Sequence, residues 1–135
     1  MANETSPNHY DGQLVTAKAA EAISGGLFVD FTAGYEALAC SIADSGDHVD
    51  GIATEDVASG RGVSVATSGI GLLQVDATTA ITVGAFLKPN TDSSGVGIVT
   101  TTDRDKYGAI AMQALASGTG IIRVMIRPRG ERSTA

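Results

Sequence analysis

Short apolar segments with alternating polar positions recur along the chain, and they predict β-strands. In residues 36–42, for example, Cys40 and Ile42 fall on one side of an extended backbone, and smaller residues fall on the other. Such a period of two is typical of a half-buried strand. Only residues 54–60 and 112–118 could each hold a short helical turn. We therefore expect an all-β fold with little helix, a small barrel or sandwich of about eight to ten strands.

The chain also repeats itself at a constant offset of 58 positions, the distance from Ala22 to Ala80. The conservative pair Val63 and Ile121 follows the same offset. A single offset over about 50 residues indicates duplication of one unit rather than a solenoid. The identical pairs include Leu14 with Leu72, Ala19 with Ala77, Ile23 with Ile81, Phe28 with Phe86, Ile52 with Ile110, and Ser59 with Ser117.

The repeat predicts the organisation of the chain. We expect two homologous half-units, residues 13–66 and 71–124, that form a single β-domain at 13–128. An extended N-terminal arm at 1–12, too polar to fold alone, precedes this domain, and a C-terminal tail at 129–135 follows it.

Glycines occupy the same corners in both half-units. Glycine adopts positive φ at little cost, so these residues are expected at tight turns that define the fold. Strands rather than helices follow them, which argues against a phosphate-binding loop. The turn-defining candidates are Gly26, Gly60, Gly62, Gly84, Gly118 and Gly120.

The composition favours β-sheets packed with small side chains, and the net charge argues against some classes of binding partner. Hydrophobic residues make up 43% of the chain but aromatic residues only 4%, with 17 glycines and no tryptophan. The net charge of −6 argues against binding to nucleic acid or to an anionic membrane surface. No segment approaches the ~20 apolar residues of a membrane span, and the N-terminus does not resemble a signal peptide. We expect a soluble protein that matures where it is made.

Candidate chemistry is sparse. Cys40 is the sole cysteine, so no intramolecular disulfide is expected, and His9 and His48 lack neighbours at zinc-ligand spacing. The acidic group Asp44, Asp47, Asp50, Glu55 and Asp56 does not fit a calcium loop and is interpreted as solvated. No nucleophile elbow occurs. We expect no enzyme, no metal site and no cofactor.

The two ends of the chain hold the strongest candidates for an interface. The arm carries Pro7, His9 and Tyr10, which are either disordered or become ordered on a partner. The C-terminal end is basic, and it is either a solvated tail or a contact for an acidic partner. Its arginines are Arg123, Arg127, Arg129 and Arg132.

Three segments then carry a family signature. They are GIATEDVASGRGVSVATSGI at 51–70, AITVGAFLKP at 80–89 and GAIAMQALASGTGIIRVMIRP at 108–128. Together they resemble the tailed-phage capsid decoration proteins, also called cement proteins, with Val57 as a departure where alanine is usual. The matching positions are Gly51, Ile52, Ala53, Asp56, Gly60, Val63, Val65, Ala80, Ile81, Gly84, Gly108, Ile110, Ala114, Gly118, Arg123, Val124 and Arg127.

The resemblance implies a structural virion protein without catalysis. Such a protein would be made in the host cytoplasm, bind the outer surface of an icosahedral capsid and stabilise the expanded shell by bridging neighbouring major capsid subunits. The resemblance also implies self-association, as a homotrimer or else a dimer. Pro7, His9, Tyr10, Arg127 and Arg129, together with Arg132, are the candidate capsid contacts.

Two other functions stay open at this point. A β-module could bind carbohydrate or a host surface, although three Tyr, three Phe and no Trp supply few aromatic platforms. A head–tail joining subunit is the remaining alternative, and ring symmetry would distinguish it.

Overall fold

The structure is a computed structural model, and it describes residues 12–34, 38–92, 94–102 and 105–131. These ranges hold ten β-strands and no helix, which confirms the all-β prediction. The first half of the chain forms β1 (Leu14–Ala19), β2 (Phe28–Gly34), β3 (Ala39–Ile42), β4 (Gly51–Ala53) and β5 (Gly62–Ala66). The second half forms β6 (Gly69–Asp76), β7 (Phe86–Pro89), β8 (Gly97–Val99), β9 (Lys106–Ala111) and β10 (Thr119–Glu131).

The strands form two closed five-stranded barrels with the same topology. The first barrel runs β1-β3-β2-β4-β5, and the second runs β6-β8-β7-β9-β10, so each strand corresponds to the strand five places later. In both barrels the first and third strands of the half-unit pair in parallel, and the other pairs are antiparallel. An isolated bridge joins Ile23 to Val57, and the same bridge recurs between Ile81 and Leu115.

These bridges occupy the two segments that were expected to allow a helical turn. Val57 donates its N–H to Ile23 O at 2.8 Å, and Leu115 donates its N–H to Ile81 O at 3.0 Å. Because these N–H and C=O groups are hydrogen-bonded across the barrel, they do not require the hydrogen bonds of a local helical turn.

Small β-branched and alanine side chains fill the barrels, as the composition predicts. One buried cluster lies wholly within the first barrel and includes Ala19, Val63 and Val65. A second buried cluster spans both barrels. Its members include Phe28, Val49, Ile52, Leu73, Val75, Leu87 and Val124. The two barrels therefore share one hydrophobic core and pack directly against each other.

Phe28 is the largest side chain at the junction between the barrels, and it is fully buried. A Cβ atom built on Gly97 would lie 3.3 Å from Phe28 Cε2, and one built on Gly108 would lie 2.8 Å from Phe28 Cε1. Two glycines of the second barrel therefore leave the space that this ring occupies.

Strand β10 continues past the boundary expected at residue 128. Pro128 does not end it, because Gly130 and Glu131 still pair with β9. The register shifts between Ile126 and Gly130, so that residues 127–129 form a bulge. Proline is tolerated at a bulge because no ladder hydrogen bond is required of it there.

The glycine corners follow the predicted repeat only in part. Gly60 and Gly118 both have positive φ, at 85° and 76°, and Gly26 and Gly84 do so as well. Glycine serves in these turns because side chains rarely adopt the left-handed region. Gly62 and Gly120 lie in strands β5 and β10 and are not among the positive-φ residues, so the expectation that they share the corner's φ was wrong.

The pairing register also differs between the barrels by one residue. Ala17 pairs with Val63 in the first barrel, whereas Val75, its counterpart, pairs with Gly120 instead of Ile121. A shift of one residue moves a strand's side chains to the opposite face. Val63 is accordingly buried, whereas Ile121 is 64% exposed.

Candidate interaction surface

The groups that could support catalysis are separated or enclosed. Cys40 is fully buried, and burial raises the pKa of its thiol to about 11, with further increases from the carboxylates of Asp30 and Glu21. His48 is half-buried, and its Nδ1 has no hydrogen-bond partner in the part of the chain that is described. The arrangement presents no thiolate to a substrate.

The acidic group of the first half does not converge on one point. Asp44 and Asp47 lie in an exposed turn, where the Asp44 N–H donates to Asp47 Oδ2 at 3.1 Å. Asp50 instead points into the junction between the barrels. Across the described ranges, no cluster of three or more Asp, Glu, His or Cys residues is arranged to hold a metal ion.

Asp50 connects the two barrels through Arg129. The Arg129 Nε donates to Asp50 Oδ1 at 2.8 Å, and the Arg129 N–H donates to Val49 O at 2.7 Å. The other carboxylate oxygen of Asp50 accepts the Phe31 N–H at 2.8 Å. Burial raises the pKa of the Asp50 carboxyl, the Phe31 N–H counteracts part of this increase, and the charge of Asp30 adds to it.

The backbone of Arg129 is bent to reach this position. Its φ of 57° lies in the left-handed region, which is uncommon for a residue with a side chain. The bulge at 127–129 therefore aims both the amide and the guanidinium of Arg129 at the first barrel.

A second set of hydrogen bonds also joins the two barrels. The Gln74 N–H donates to Gly26 O at 2.7 Å, and the Gln74 Nε2 donates to Gly25 O at 2.7 Å. The junction is thus fixed by backbone and side-chain hydrogen bonds as well as by the packing of Phe28.

The outer face of the second barrel carries exposed apolar side chains. Ile121 is 64% exposed and Met125 39% exposed, both on β10. Directly opposite Met125 lie Ile70 on β6 and Ile110 on β9, and Leu72 lies opposite Arg123. We call Ile121 and Met125, together with the half-buried Ile70, Leu72 and Ile110, the outer apolar face.

A shallow cavity of about 370 Å³ separates this face from the first barrel. Leu72 and Ile121 line one side of it, and Glu55 and Asp56 line the other. Asp56 Oδ1 accepts the Gly25 N–H at 2.8 Å, and Glu55 Oε2 accepts the Ser64 N–H at 3.1 Å. These bonds hold two exposed carboxylates at the edge of the outer apolar face.

The candidate contacts taken from the sequence fall into two groups. Arg127 is exposed on β10, and Arg129 is committed to Asp50. Pro7, His9 and Tyr10, as well as Arg132, lie outside the described residues. Gln13 donates its N–H to Ser68 Oγ at 3.0 Å, in the segment between β5 and β6.

Sequence reasoning missed the outer apolar face. The offset of the repeat paired Ile121 with Val63, and that pairing gave no indication that the two side chains lie on opposite faces. The alternation within β10 itself carried the signal, because Ile122, Val124 and Ile126 are the buried set and the intervening residues point outward.

Comparisons with known proteins give a consistent result. The family model described as phage cement protein matches residues 8–126. The structure is similar to that of the head fiber gp8.5 N base in bacteriophage phi29, with a TM-score of 0.64 and 21% identity. That match covers 88% of this chain and 96% of the other. No curated protein matches the chain. The described part of the chain contains no helical segment with the length and hydropathy of a membrane span.

Proposed function

Because this chain belongs to the phage cement protein family, we propose that it binds the outer surface of an icosahedral phage capsid and stabilises the expanded shell by bridging neighbouring major capsid subunits. The observation that carries this proposal is the family match over residues 8–126, which includes nearly all the residues that the structure describes. The protein acts by binding alone, with no reaction and no cofactor.

The energetics of such a role follow from linkage. A protein that binds only the expanded state of a shell stabilises that state, by about 2.7 kcal/mol per site when its free concentration is 100 times its Kd. Many copies on one shell multiply this gain. Selectivity for the expanded shell requires that the binding surface spans subunits whose spacing changes during expansion.

The double barrel suits a bridging role because its two halves are fixed to each other. The buried Phe28 ring and the Asp50–Arg129 ion pair both cross the junction. A rigid connector transmits load between two anchoring points, whereas a flexible linker would extend first. Small side chains and closed sheets leave little internal freedom to absorb such a load.

The contacts with the capsid and between copies are part of the proposal. We assign capsid contact to the arm residues Pro7, His9 and Tyr10 and to the arginines Arg127 and Arg132. Arg129 contributes to this contact mainly by holding the end of β10 in place through Asp50. The protein assembles as a homotrimer on the capsid exterior, with a dimer as the alternative, and it binds neither nucleic acid nor membrane.

Co-sedimentation with purified shells tests this proposal. The full chain should pellet with expanded shells and much less with unexpanded shells, and a chain lacking residues 1–12 should fold normally but bind expanded shells more weakly. Absence of co-migration with expanded shells would contradict the proposal. Binding to a carbohydrate array, or rings at a single shell vertex in electron micrographs, would support the two alternative functions instead.

A further inference from the structure

The outer apolar face combines large apolar side chains with opposite charges at its two ends. Glu55 and Asp56 line the same cavity as Ile121, which lies near the start of β10, so they mark the acidic end of the face. Arg127 lies six residues further along β10 than Ile121. Because a strand rises about 3.3 Å per residue, Arg127 marks the opposite, basic end of the face. Arg123 projects between these ends, opposite Leu72.

Ile121 and Met125 expose large apolar side chains on the same side of β10. Single exposed apolar residues are ordinary, but a contiguous apolar patch marks a surface that binds something. Ile121 and Met125 each lie two positions from Arg123, one on either side of it, and Ile70 and Ile110 flank Met125 across both neighbouring strands. The patch therefore extends over three strands.

The charge pattern identifies the partner. A uniformly acidic surface would be repelled at the Glu55 and Asp56 end, and a uniformly basic one at the Arg127 end. A fitting partner offers apolar side chains around a central arginine, with a carboxylate pair at one end and a second arginine at the other. This chain presents that pattern itself, so the face is complementary to itself.

We propose that the outer apolar face binds the same face of a second copy of this chain, with Arg127 of one copy against Glu55 and Asp56 of the other. The inference rests on the self-association included in the proposed function and assigns a surface to it. Both a twofold pair and a ring of three can satisfy the contact, because each arrangement brings the basic end of one copy to the acidic end of another.

The carboxylates are prepared for this contact before the copies meet. Asp56 is held by the Gly25 N–H and Glu55 by the Ser64 N–H, at 2.8 and 3.1 Å. Each carboxylate retains lone pairs that can accept a guanidinium N–H. Fixed partners lose less conformational entropy on association than mobile ones do.

Sedimentation equilibrium of the full chain, without any shell, tests the inference. Ile121→Asp should raise the dissociation constant of self-association at least about tenfold. Val83→Asp is the matched control, because Val83 is 67% exposed and lies outside the face. Circular dichroism and thermal melting verify that both variants fold.

Charge reversal provides a second arm that does not depend on an apolar substitution. Arg127→Glu should weaken self-association, whereas Arg61→Glu, at an exposed position of the first barrel, should not. Adding Glu55→Lys to Arg127→Glu should restore association, because the two ends again carry opposite charges. Added salt should weaken association of the unmodified chain.

Three results would overturn the inference. The first is a monomeric unmodified chain at every concentration tested, and the second is self-association that neither Ile121→Asp nor Arg127→Glu changes. The third is intact self-association combined with loss of shell binding in Ile121→Asp, which would assign the face to the capsid. Failure of the unmodified chain to bind shells would contradict the proposed function and leave the self-association result standing.

Discussion

Asp50 and Arg129 lie 79 residues apart in the chain, yet their side chains form an ion pair of 2.8 Å across the junction of the two barrels. Asp50 is nearly buried, whereas the Arg129 side chain is 44% exposed. The buried carboxylate cannot be solvated in place of its hydrogen-bond partners, whereas the exposed guanidinium can. Removing the carboxylate and removing the guanidinium should therefore cost different amounts of stability. This asymmetry predicts how each substitution affects stability.

We expect Asp50→Ala to lower the free energy of unfolding by about 2–3 kcal/mol and Arg129→Ala by about 1 kcal/mol. The first substitution leaves the buried Phe31 N–H without its acceptor as well as removing the ion pair. Urea denaturation measures both, with Asp44→Ala as the control from the exposed turn of the same loop. Equal effects of Asp50→Ala and Asp44→Ala would show that the junction pair does not hold the barrels together.

Gly108 provides a test of packing at the same junction. A Cβ at this position would lie 2.6 Å from Val49 Cγ1 and 2.8 Å from Phe28 Cε1. We expect Gly108→Ala to destabilise the protein by about 1–3 kcal/mol, because the two barrels must move apart to admit a methyl group. Gly120→Ala, where the nearest atom lies 3.4 Å away, is the control in the same thermal melting experiment. A neutral Gly108→Ala variant would mean that the barrels are not in close contact.

The turn at Gly60 allows the cost of backbone strain to be measured without a change in packing. Nothing lies within 4 Å of a Cβ built there, so the φ of 85° is what Gly60→Ala would disturb. We expect a loss of about 1–2 kcal/mol, the usual cost of placing a side chain in the left-handed region. Gly62→Ala should be nearly neutral, because its Cβ would lie 3.6 Å from Thr16 Cγ2. Chemical denaturation of the two variants should rank them in this order, and the reverse order would contradict the turn assignment.

Cys40 should resist thiol reagents in the folded protein. With burial raising its pKa to about 11, roughly one thiol in a thousand is ionised at pH 8, and the thiolate is the reactive form. Reaction with Ellman's reagent at pH 8 should therefore be slow in the native state and fast in urea. Native Cys40 that reacts as rapidly as the unfolded chain would contradict its enclosure within the first barrel.

The repeat explains which features could be predicted from sequence. Ile23 bridges Val57, and their counterparts Ile81 and Leu115 form the same bridge, so matched residues at a fixed offset occupy matched places in the two barrels. Alternation and glycine placement predicted the all-β fold for the same reason, since both depend on residues close together in the chain.

The junction could not be predicted in this way, because it depends on differences between the half-units. The offset pairs Asp50 with Gly108, a charged residue with one that lacks a side chain. In the structure, Asp50 forms the ion pair while Gly108 makes room for Phe28 and Val49. A duplication indicates what the halves share, and it contains no information about how one half binds the other.

The repeat also could not predict which side chains of β10 face outward, for a related reason. An alignment without gaps assigns Ile121 to the position of Val63, although the two side chains point to opposite faces. The local pattern of β10, with Arg123 and Arg127 at alternate positions, indicates the outward face independently of the repeat. Alternation within a strand is the better guide to facing, because it reflects the strand's own burial.

Stabilisation of the expanded shell can be measured by calorimetry of empty expanded shells, with and without saturating amounts of this protein. Bound protein should raise the melting temperature of the shell, and the increase should reach a plateau when all sites are filled. A shell that binds the protein at full occupancy and melts at an unchanged temperature would contradict stabilisation by bridging.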